Sequence, residues 1–230
     1  MQKQFIKDLN PAETKIIYFE PQSIEWKATR QLYVTATDIA SLFGLNANKS
    51  FAKFYKGKVQ PESIPDNIFM KVGRYLEPAV FEALSEHVIK TQRAHETKVV
   101  FVTDECNKLS CSLDGLAKGK NDWVIVEAKT TISEKKFEVW REVPPIEYLL
   151  QTQVQMMLCK KPHAILACLL HPIPMPLIVY KIKANKELQD LIISEVKRFW
   201  SELGNYKVSR TNKELAKELA NQSFELIGEF

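Results

Sequence analysis

The run Val124-Ile125-Val126-Glu127-Ala128-Lys129 constrains this chain more than any other segment. Val124, Ile125, Val126 and Ala128 make a strand apolar enough to lie inside a sheet, yet it ends in an acid and a base. Side chains two apart on a strand point the same way, so Glu127 and Lys129 share a face. Upstream, Ser112-Leu113-Asp114-Gly115 sets a second carboxylate at what reads as another strand end. A plain reading exists: Asp-Gly is a common turn, and Glu-x-Lys on an exposed face is an ordinary solvated pair. Against it stands the apolar strand, because charges at the end of a central strand need a reason.

Two carboxylates and an ammonium that converge on one point suit a hard divalent cation with a lysine beside an attacking water. Those are the needs of metal-assisted phosphodiester hydrolysis.

At 230 residues, 45% hydrophobic with seven glycines, the chain suits one α/β domain with a substantial core. No apolar run approaches the roughly 18 residues of a membrane span, and the run from Ala164 to Leu170 is cut by His171-Pro172. The start, Met-Gln-Lys-Gln-Phe-Ile-Lys-Asp, lacks the apolar core of a signal peptide, so a soluble cytoplasmic protein is expected. Cys106, Cys111, Cys159 and Cys168 show no C-x-x-C spacing and are expected to be reduced, buried thiols rather than ligands of an iron–sulfur cluster. The net charge of +4 is too mild to argue for nucleic acid. Lys49, Lys53, Lys56 and Lys58, however, crowd a segment with Phe51, Phe54 and Tyr55, which reads either as a DNA-facing helix or as a solvated basic face.

Periodicity and breakers predict an irregular first thirty residues with a possible edge strand at Ile16-Ile17-Tyr18-Phe19. Thr37-Asp38 caps a helix from Ile39 to Leu45 that ends at Gly44-Leu45-Asn46. A short helix over 48–56 and a loop from Pro61 to Pro65 follow. Val72, Leu76, Val80, Leu84 and Val88 mark an amphipathic segment from Asp66 to Lys90, which Pro78 splits or kinks. Strands are expected at 97–103, 109–114 and 123–129, then a polar loop or short helix at 132–142. A helix over 146–160 opens at Pro144-Pro145; strands at 164–170 and 177–183 and a helix at 185–203 complete the domain, 1–204. Residues 205–230 read as a polar helical tail.

Three further clusters carry polar groups in apolar settings. Glu77, in Gly73-Arg74-Tyr75-Leu76-Glu77-Pro78, is surrounded at helical spacing by Leu76, Val80, Phe81 and Leu84. A carboxylate so placed needs a metal or a cation; a salt bridge to Arg74 or a helix cap would also serve. Gln153, with Leu149, Leu150, Met156 and Met157 three and four residues away, is either a structural buried amide or one that holds water or phosphate. Arg30, upstream of the Thr37 cap, suits a terminal phosphate, although an ordinary cap beside a surface arginine has the same sequence.

The order of these pieces resembles the YqaJ-type viral recombinase nucleases, the family of phage lambda exonuclease. That family runs Arg…(Thr)-Ala-Ser-(acid), Gly-x-x-x-Glu, Ser-x-Asp-Gly, Glu-x-Lys and Gln-x-Gln. The chain has Arg30…Thr35-Ala36-Thr37-Asp38, Gly73…Glu77, Ser112-Leu113-Asp114-Gly115, Glu127-Ala128-Lys129 and Gln153-Val154-Gln155 in that order, across residues 30 to 160. Thr37 replaces the usual serine and keeps its hydroxyl. Lys71 is the candidate for the lysine that some members use upstream of the helix glutamate.

The resemblance implies a PD-(D/E)xK core, a mixed sheet flanked by helices. It implies Asp114, Glu127 and the Ala128 carbonyl as ligands of Mg²⁺ or Mn²⁺, two ions per site, with Glu77 binding directly or through water. Lys129 would orient or deprotonate the water, Gln153 would position water or phosphate, and Arg30 and Thr37 would hold a 5′-phosphate. The implied activity is 5′→3′ resection of linear double-stranded DNA to 3′ overhangs for recombination in a phage or a bacterial host. Implied partners are DNA ends, two further copies in a trimeric ring, and a single-strand annealing protein. An endonuclease on the same core, or a silent DNA-binding module, would share parts of this set.

Overall fold

The computed structural model describes residues 14–60, 68–94, 98–119, 122–171 and 176–230. The expected loop from Pro61 to Pro65 and the start of the amphipathic segment at Asp66 lie outside the described residues.

The apolar run is strand β7 (Trp123–Thr131), and it is central. The six-stranded sheet has the order β10-β9-β8-β7-β6-β3, built from β3 (Thr91–Arg93), β6 (Gly115–Lys118), β8 (His163–Leu170), β9 (Leu177–Lys183) and β10 (Phe224–Glu229). β7 pairs antiparallel with β6 and parallel with β8, so the sheet is mixed. The crossover from β7 to β8 carries helices α5 (Glu134–Glu142) and α6 (Ile146–Leu158). Strand alternation then sorts the two faces. Val124, Val126 and Ala128 pack with Val80, Phe81 and Leu84 of α4 (Ile68–His87), while Trp123 and Ile125 join the larger core with Leu150, Val154 and Leu158 of α6. Glu127 and Lys129 therefore face α6.

A smaller sheet, in the order β1-β4-β5-β2, comprises β1 (Thr14–Phe19), β2 (Val34–Thr35), β4 (Val99–Asp104) and β5 (Leu109–Ser112). The chain leaves it at Ser112 and enters the six-stranded sheet at Gly115, so Asp114 sits at the junction. Only glycine fits the first position of β6: a Cβ at Gly115 would lie 2.2 Å from the Phe81 ring and 2.8 Å from the Gln92 carbonyl.

Several sequence expectations change. Residues 24–31 form a helix, α1 (Ile24–Gln31), not irregular chain, and the Ser23 hydroxyl caps it by accepting from the Trp26 N–H at 3.1 Å. The cap before α2 (Ile39–Leu42) is built on Thr35 rather than Thr37: a 3₁₀ turn, Ala36–Asp38, intervenes, and the Thr35 N–H and hydroxyl both bond Asp38. That helix stops at Leu42, three residues before the predicted Leu45, and Gly44 follows its C-cap at φ +67°. Helix α3 (Phe51–Val59) begins at the Ser50 cap, three residues later than predicted. Pro78 lies inside α4 without dividing it. The polar stretch after β7 is a helix, because α5 buries Phe137 and Trp140.

The tail departs most. Helix α8 (Arg210–Asn221) buries Ala216, Leu219 and Ala220, and its successor β10 pairs with β9 as the sheet edge. Tyr206, just ahead of α8, donates to the buried Glu195 carboxylate of α7 (Lys186–Ser201) at 2.7 Å, and Asn212 donates to the other oxygen at 2.6 Å. Residues 206–229 are thus built into the domain.

Of the four free cysteines, Cys111, Cys159 and Cys168 are buried as expected, but Cys106 is exposed because it lies in the turn between β4 and β5. Among the described residues, no helix is long and apolar enough to cross a membrane.

Candidate active site

The site lies where β6 peels away from β7. β6 pairs with β7 only as far as Gly115–Val126, leaving the next residues of β7 open on that side. The Ala128 N–H points into the gap and donates to Asp114 Oδ2 at 3.0 Å. Because a strand residue's N–H and C=O point the same way, the Ala128 carbonyl faces the same gap.

Glu127 is fully buried, and three donors hold it. Gln151 Nε2 donates to Oε1 at 2.6 Å, Gln155 Nε2 donates to Oε2 at 2.5 Å, and the Lys129 ammonium pairs with Oε1. Gln155 also donates to the Ser112 carbonyl at 3.1 Å, which ties the Glu127 face to the chain segment that carries Asp114. Lys129 lies 4.8 Å from the Tyr148 ring centre, so an aromatic face backs the ammonium.

The charges act on one another. Burial and the neighbouring Glu127 push the Asp114 carboxyl up to about 8, and Glu77 adds to this, against opposing pulls from Lys129 and the Ala128 N–H. Burial alone would lower the Lys129 ammonium, but Glu127 and Asp114 more than reverse that and hold its proton well above the ordinary range.

Glu77, on α4, reaches this region because the helix passes the end of β7, with Gly73 near Thr130. Its carboxylate pairs with Arg93 at 3.3 Å. Lys71, one turn and a half earlier, is exposed.

Gln153 lies elsewhere. Its amide donates to the Lys183 carbonyl at 2.8 Å and accepts from the Asn185 N–H at 3.0 Å, fixing the turn between β9 and α7. The position expected to hold water or phosphate is thus the structural amide that the sequence equally allowed. Residues two apart on a helix face in nearly opposite directions, while residues four apart share a face. That periodicity, applied to three glutamines in alternate positions, separates Gln151 and Gln155 from Gln153.

Arg30 and Thr37 are brought together as expected: the Arg30 guanidinium donates to Thr37 Oγ1 at 3.2 Å. Arg30 lies over the Trp26 ring, 4.8 Å from its centre, and Thr37 Oγ1 lies 2.9 Å from Thr35 Oγ1. A cavity of about 190 Å³ joins this pair to the carboxylates, its walls including Arg30, Thr37, Asp114, Glu127, Lys129 and Gln151. Trp26 and Ser112 also line it, and the Trp26 indole N–H and the Ser112 hydroxyl are buried without a hydrogen-bond partner. Buried polar groups left unsatisfied in a cleft mark a place for a polar ligand.

The donor set suits a hard cation. Asp114, Glu127 and the Ala128 carbonyl offer only oxygen, the chemistry of magnesium or manganese rather than of softer metals. Among the described residues, no three Asp, Glu, His or Cys side chains gather tightly enough to hold an ion by themselves. Such a site takes its remaining ligands from the carbonyl, water and a substrate phosphate, as magnesium sites commonly do.

Residues 25–161 match the model of the YqaJ-like viral recombinase domain. The chain belongs to that family. The matched stretch carries Arg30, Thr37, Glu77, Asp114, Glu127, Lys129, Gln151 and Gln155. The YqaJ-like fold recurs in solved structures. An alkaline exonuclease, LHK-Exo, from Laribacter hongkongensis matches with a TM-score of 0.60 at 21% identity, covering 87% of this chain and 100% of that one. Its complex with dAMP matches with a TM-score of 0.59, at the same identity and coverage. A phage-related exonuclease from Haemophilus somnus 129PT matches with a TM-score of 0.51 at 13% identity, covering 84% and 99%. These place the chain in the PD-(D/E)xK fold, a mixed α/β core. No curated protein sequence matches the chain.

Proposed function

We propose that this protein is a metal-dependent 5′→3′ exonuclease that resects linear double-stranded DNA and leaves 3′ single-stranded overhangs for recombination by strand annealing. The observation that carries this reading is the shared cleft: Arg30 and Thr37 line the same cavity as Asp114, Glu127 and Lys129. A terminal-phosphate clamp beside hydrolytic groups confines cutting to an end, which an endonuclease does not need. Family membership supports the recombination role, and the names of the solved relatives support exonuclease chemistry.

Asp114, Glu127 and the Ala128 carbonyl would hold Mg²⁺ or Mn²⁺, with Glu77 binding directly or through water. Two such ions, when bound, supply an activated water and charge stabilisation for the leaving 3′-oxygen. Gln151 and Gln155 fix both oxygens of Glu127, so the carboxylate meets substrate in one orientation. Lys129, an ammonium in the arrangement observed, offsets charge on the phosphorane from beside the carboxylates. Arg30 offers a planar fork to the 5′-terminal phosphate, and the Thr37 hydroxyl completes the grip. The reading extends to a homotrimeric ring that threads DNA and an annealing partner for the overhang, both resting on the family, in the cytoplasm of a bacterial or phage-infected cell.

The test is digestion of a linear duplex labelled at either the 5′ or the 3′ end, with Mg²⁺. Early release of label as mononucleotide from the 5′ end, lost in Asp114→Ala and Lys129→Ala, is expected. Early release from the 3′ end, or unchanged cleavage by either variant, would overturn the reading.

A further inference from the structure

Behind the Arg30–Thr37 pair lies a buried carboxylate, Asp38. Burial opposes its charge, but Lys58, Lys49 and Arg30 hold the carboxyl well below the usual carboxylate range. Lys49 pairs with its Oδ1 at 2.7 Å and Lys58 with its Oδ2 at 3.0 Å, so the group is ionised and fixed at both oxygens. An ionised carboxylate only accepts hydrogen bonds.

That fact orients the two hydroxyls in front of it. The Thr35 hydroxyl gives its single proton to Asp38 Oδ2 at 2.8 Å, and the Thr35 N–H donates to the same oxygen at 3.2 Å. The 2.9 Å contact between Thr35 Oγ1 and Thr37 Oγ1 must then be filled by the Thr37 proton. Thr37 is left to accept from the Arg30 guanidinium, which donates to it at 3.2 Å. The chain therefore runs one way, from Arg30 to Thr37 to Thr35 to Asp38, with a cation at its head and an anion at its foot. Hydrogen bonds aligned in this way polarise one another and strengthen.

Nothing in the hydrolytic reading uses Thr35 or Asp38. We infer that Thr35 is a positioning residue for the terminal-phosphate clamp: it passes the hold of Asp38 through Thr37 to Arg30, and so aims the guanidinium at the 5′-phosphate of a DNA end. The Trp26 ring, its centre 4.8 Å away, sets the guanidinium from one face, and Thr37 sets a corner. An arginine held at face and corner loses less freedom when its fork closes on a phosphate. With its proton spent on Thr35, Thr37 acts by directing Arg30 rather than by donating to the phosphate. The inference rests on the clamp reading for its ligand, and on the hydrogen-bond geometry for its direction.

Thr35 can be tested without touching Arg30, Thr37 or Asp38. Thr35→Val removes the hydroxyl and keeps the branched shape that suits β2, while Asp38 Oδ2 retains the N–H of residue 35 and Lys58. Thr35→Ser keeps the hydroxyl. Binding of 5′-phosphorylated and 5′-hydroxyl oligonucleotide duplexes is measured in EDTA, where no cleavage occurs, beside the Tm of each protein. Wild type and Thr35→Ser are expected to prefer the phosphorylated end. Thr35→Val should lose that preference several-fold, with the loss falling on the phosphorylated end. A merely structural role would instead weaken both ends alike, in step with Tm, and that result would overturn the inference. So would a preference that Thr35→Val keeps or that Thr35→Ser loses; each of these leaves the clamp reading standing. A wild type that binds the two ends equally would overturn the clamp reading, and the inference with it.

Discussion

Gln151 and Gln155, one helical turn apart, each hold one oxygen of the same carboxylate, Glu127. The donors come from α6 and the acceptor from β7, so the crossover that follows β7 returns to fix the orientation of its own acidic residue.

Loss of one of these amides should act on catalysis more than on stability. Gln155→Ala removes one anchor of Glu127 and the tie to the Ser112 carbonyl. Removal of such supporting hydrogen bonds typically costs about 10–100-fold in activity or metal affinity. Steady-state kinetics across a Mg²⁺ titration should show that loss, with rising metal demand. A rate and metal dependence like the wild type would count against the assignment.

Gln153→Ala should do the reverse. It leaves the Lys183 carbonyl and the Asn185 N–H without their partner, at a cost of about 1–3 kcal/mol per buried group. The expected outcome is a lower Tm with kcat kept. A kcat loss that matches Gln155→Ala, with an unchanged melt, would return Gln153 to the site.

These two glutamines show how far the sequence could be read. The acid–acid–lysine set was legible because strand alternation is a strict period of two and β7 is apolar on both sides. Arg30 with Thr37 was legible only through the family resemblance, because an ordinary cap beside a surface arginine has the same sequence. Which glutamine faces Glu127 was readable only by applying helical spacing to the three together. The strands β3, β6 and β10 were not legible: each is short, and β10 is half polar, so its pairing with β9 comes from tertiary contact rather than from its own pattern. The Asp38–Lys49–Lys58 network joins α2 and α3 through space, and local periodicity carries no trace of it.

That network gives a pH prediction. Burial opposes the charged form of Asp38, yet Lys58, Lys49 and Arg30 together hold its carboxyl well below the usual range. A carboxyl depressed on folding adds stability above its unfolded value of about 4, and that stability is lost as pH falls below it. Urea unfolding at pH 7 and pH 3 should show a smaller acid-induced loss in Asp38→Asn than in wild type. At pH 7 the variant should be less stable by about 3 kcal/mol or more, because the lysines lose their partner. An equal acid-induced loss in both proteins would refute this.

Gly115→Ala tests the junction that carries Asp114. The added methyl would lie against Phe81 and the Gln92 carbonyl, so the start of β6 must shift, at about 1–3 kcal/mol or more. A lower Tm together with reduced cleavage is expected; full activity at wild-type stability would show that the junction tolerates movement.

The most direct measurement of the central claim compares digestion of 5′-phosphorylated and 5′-hydroxyl linear duplexes, and closed circles, by wild type and Thr37→Val. Wild type should degrade the phosphorylated duplex much faster than the hydroxyl duplex and spare the circles. Thr37→Val should narrow the difference between the two linear ends by slowing only the phosphorylated substrate. Cutting of circles, or a preference for the phosphorylated end that Thr37→Val leaves unchanged, would contradict a cleft in which Arg30 and Thr37 present a DNA end to Asp114, Glu127 and Lys129.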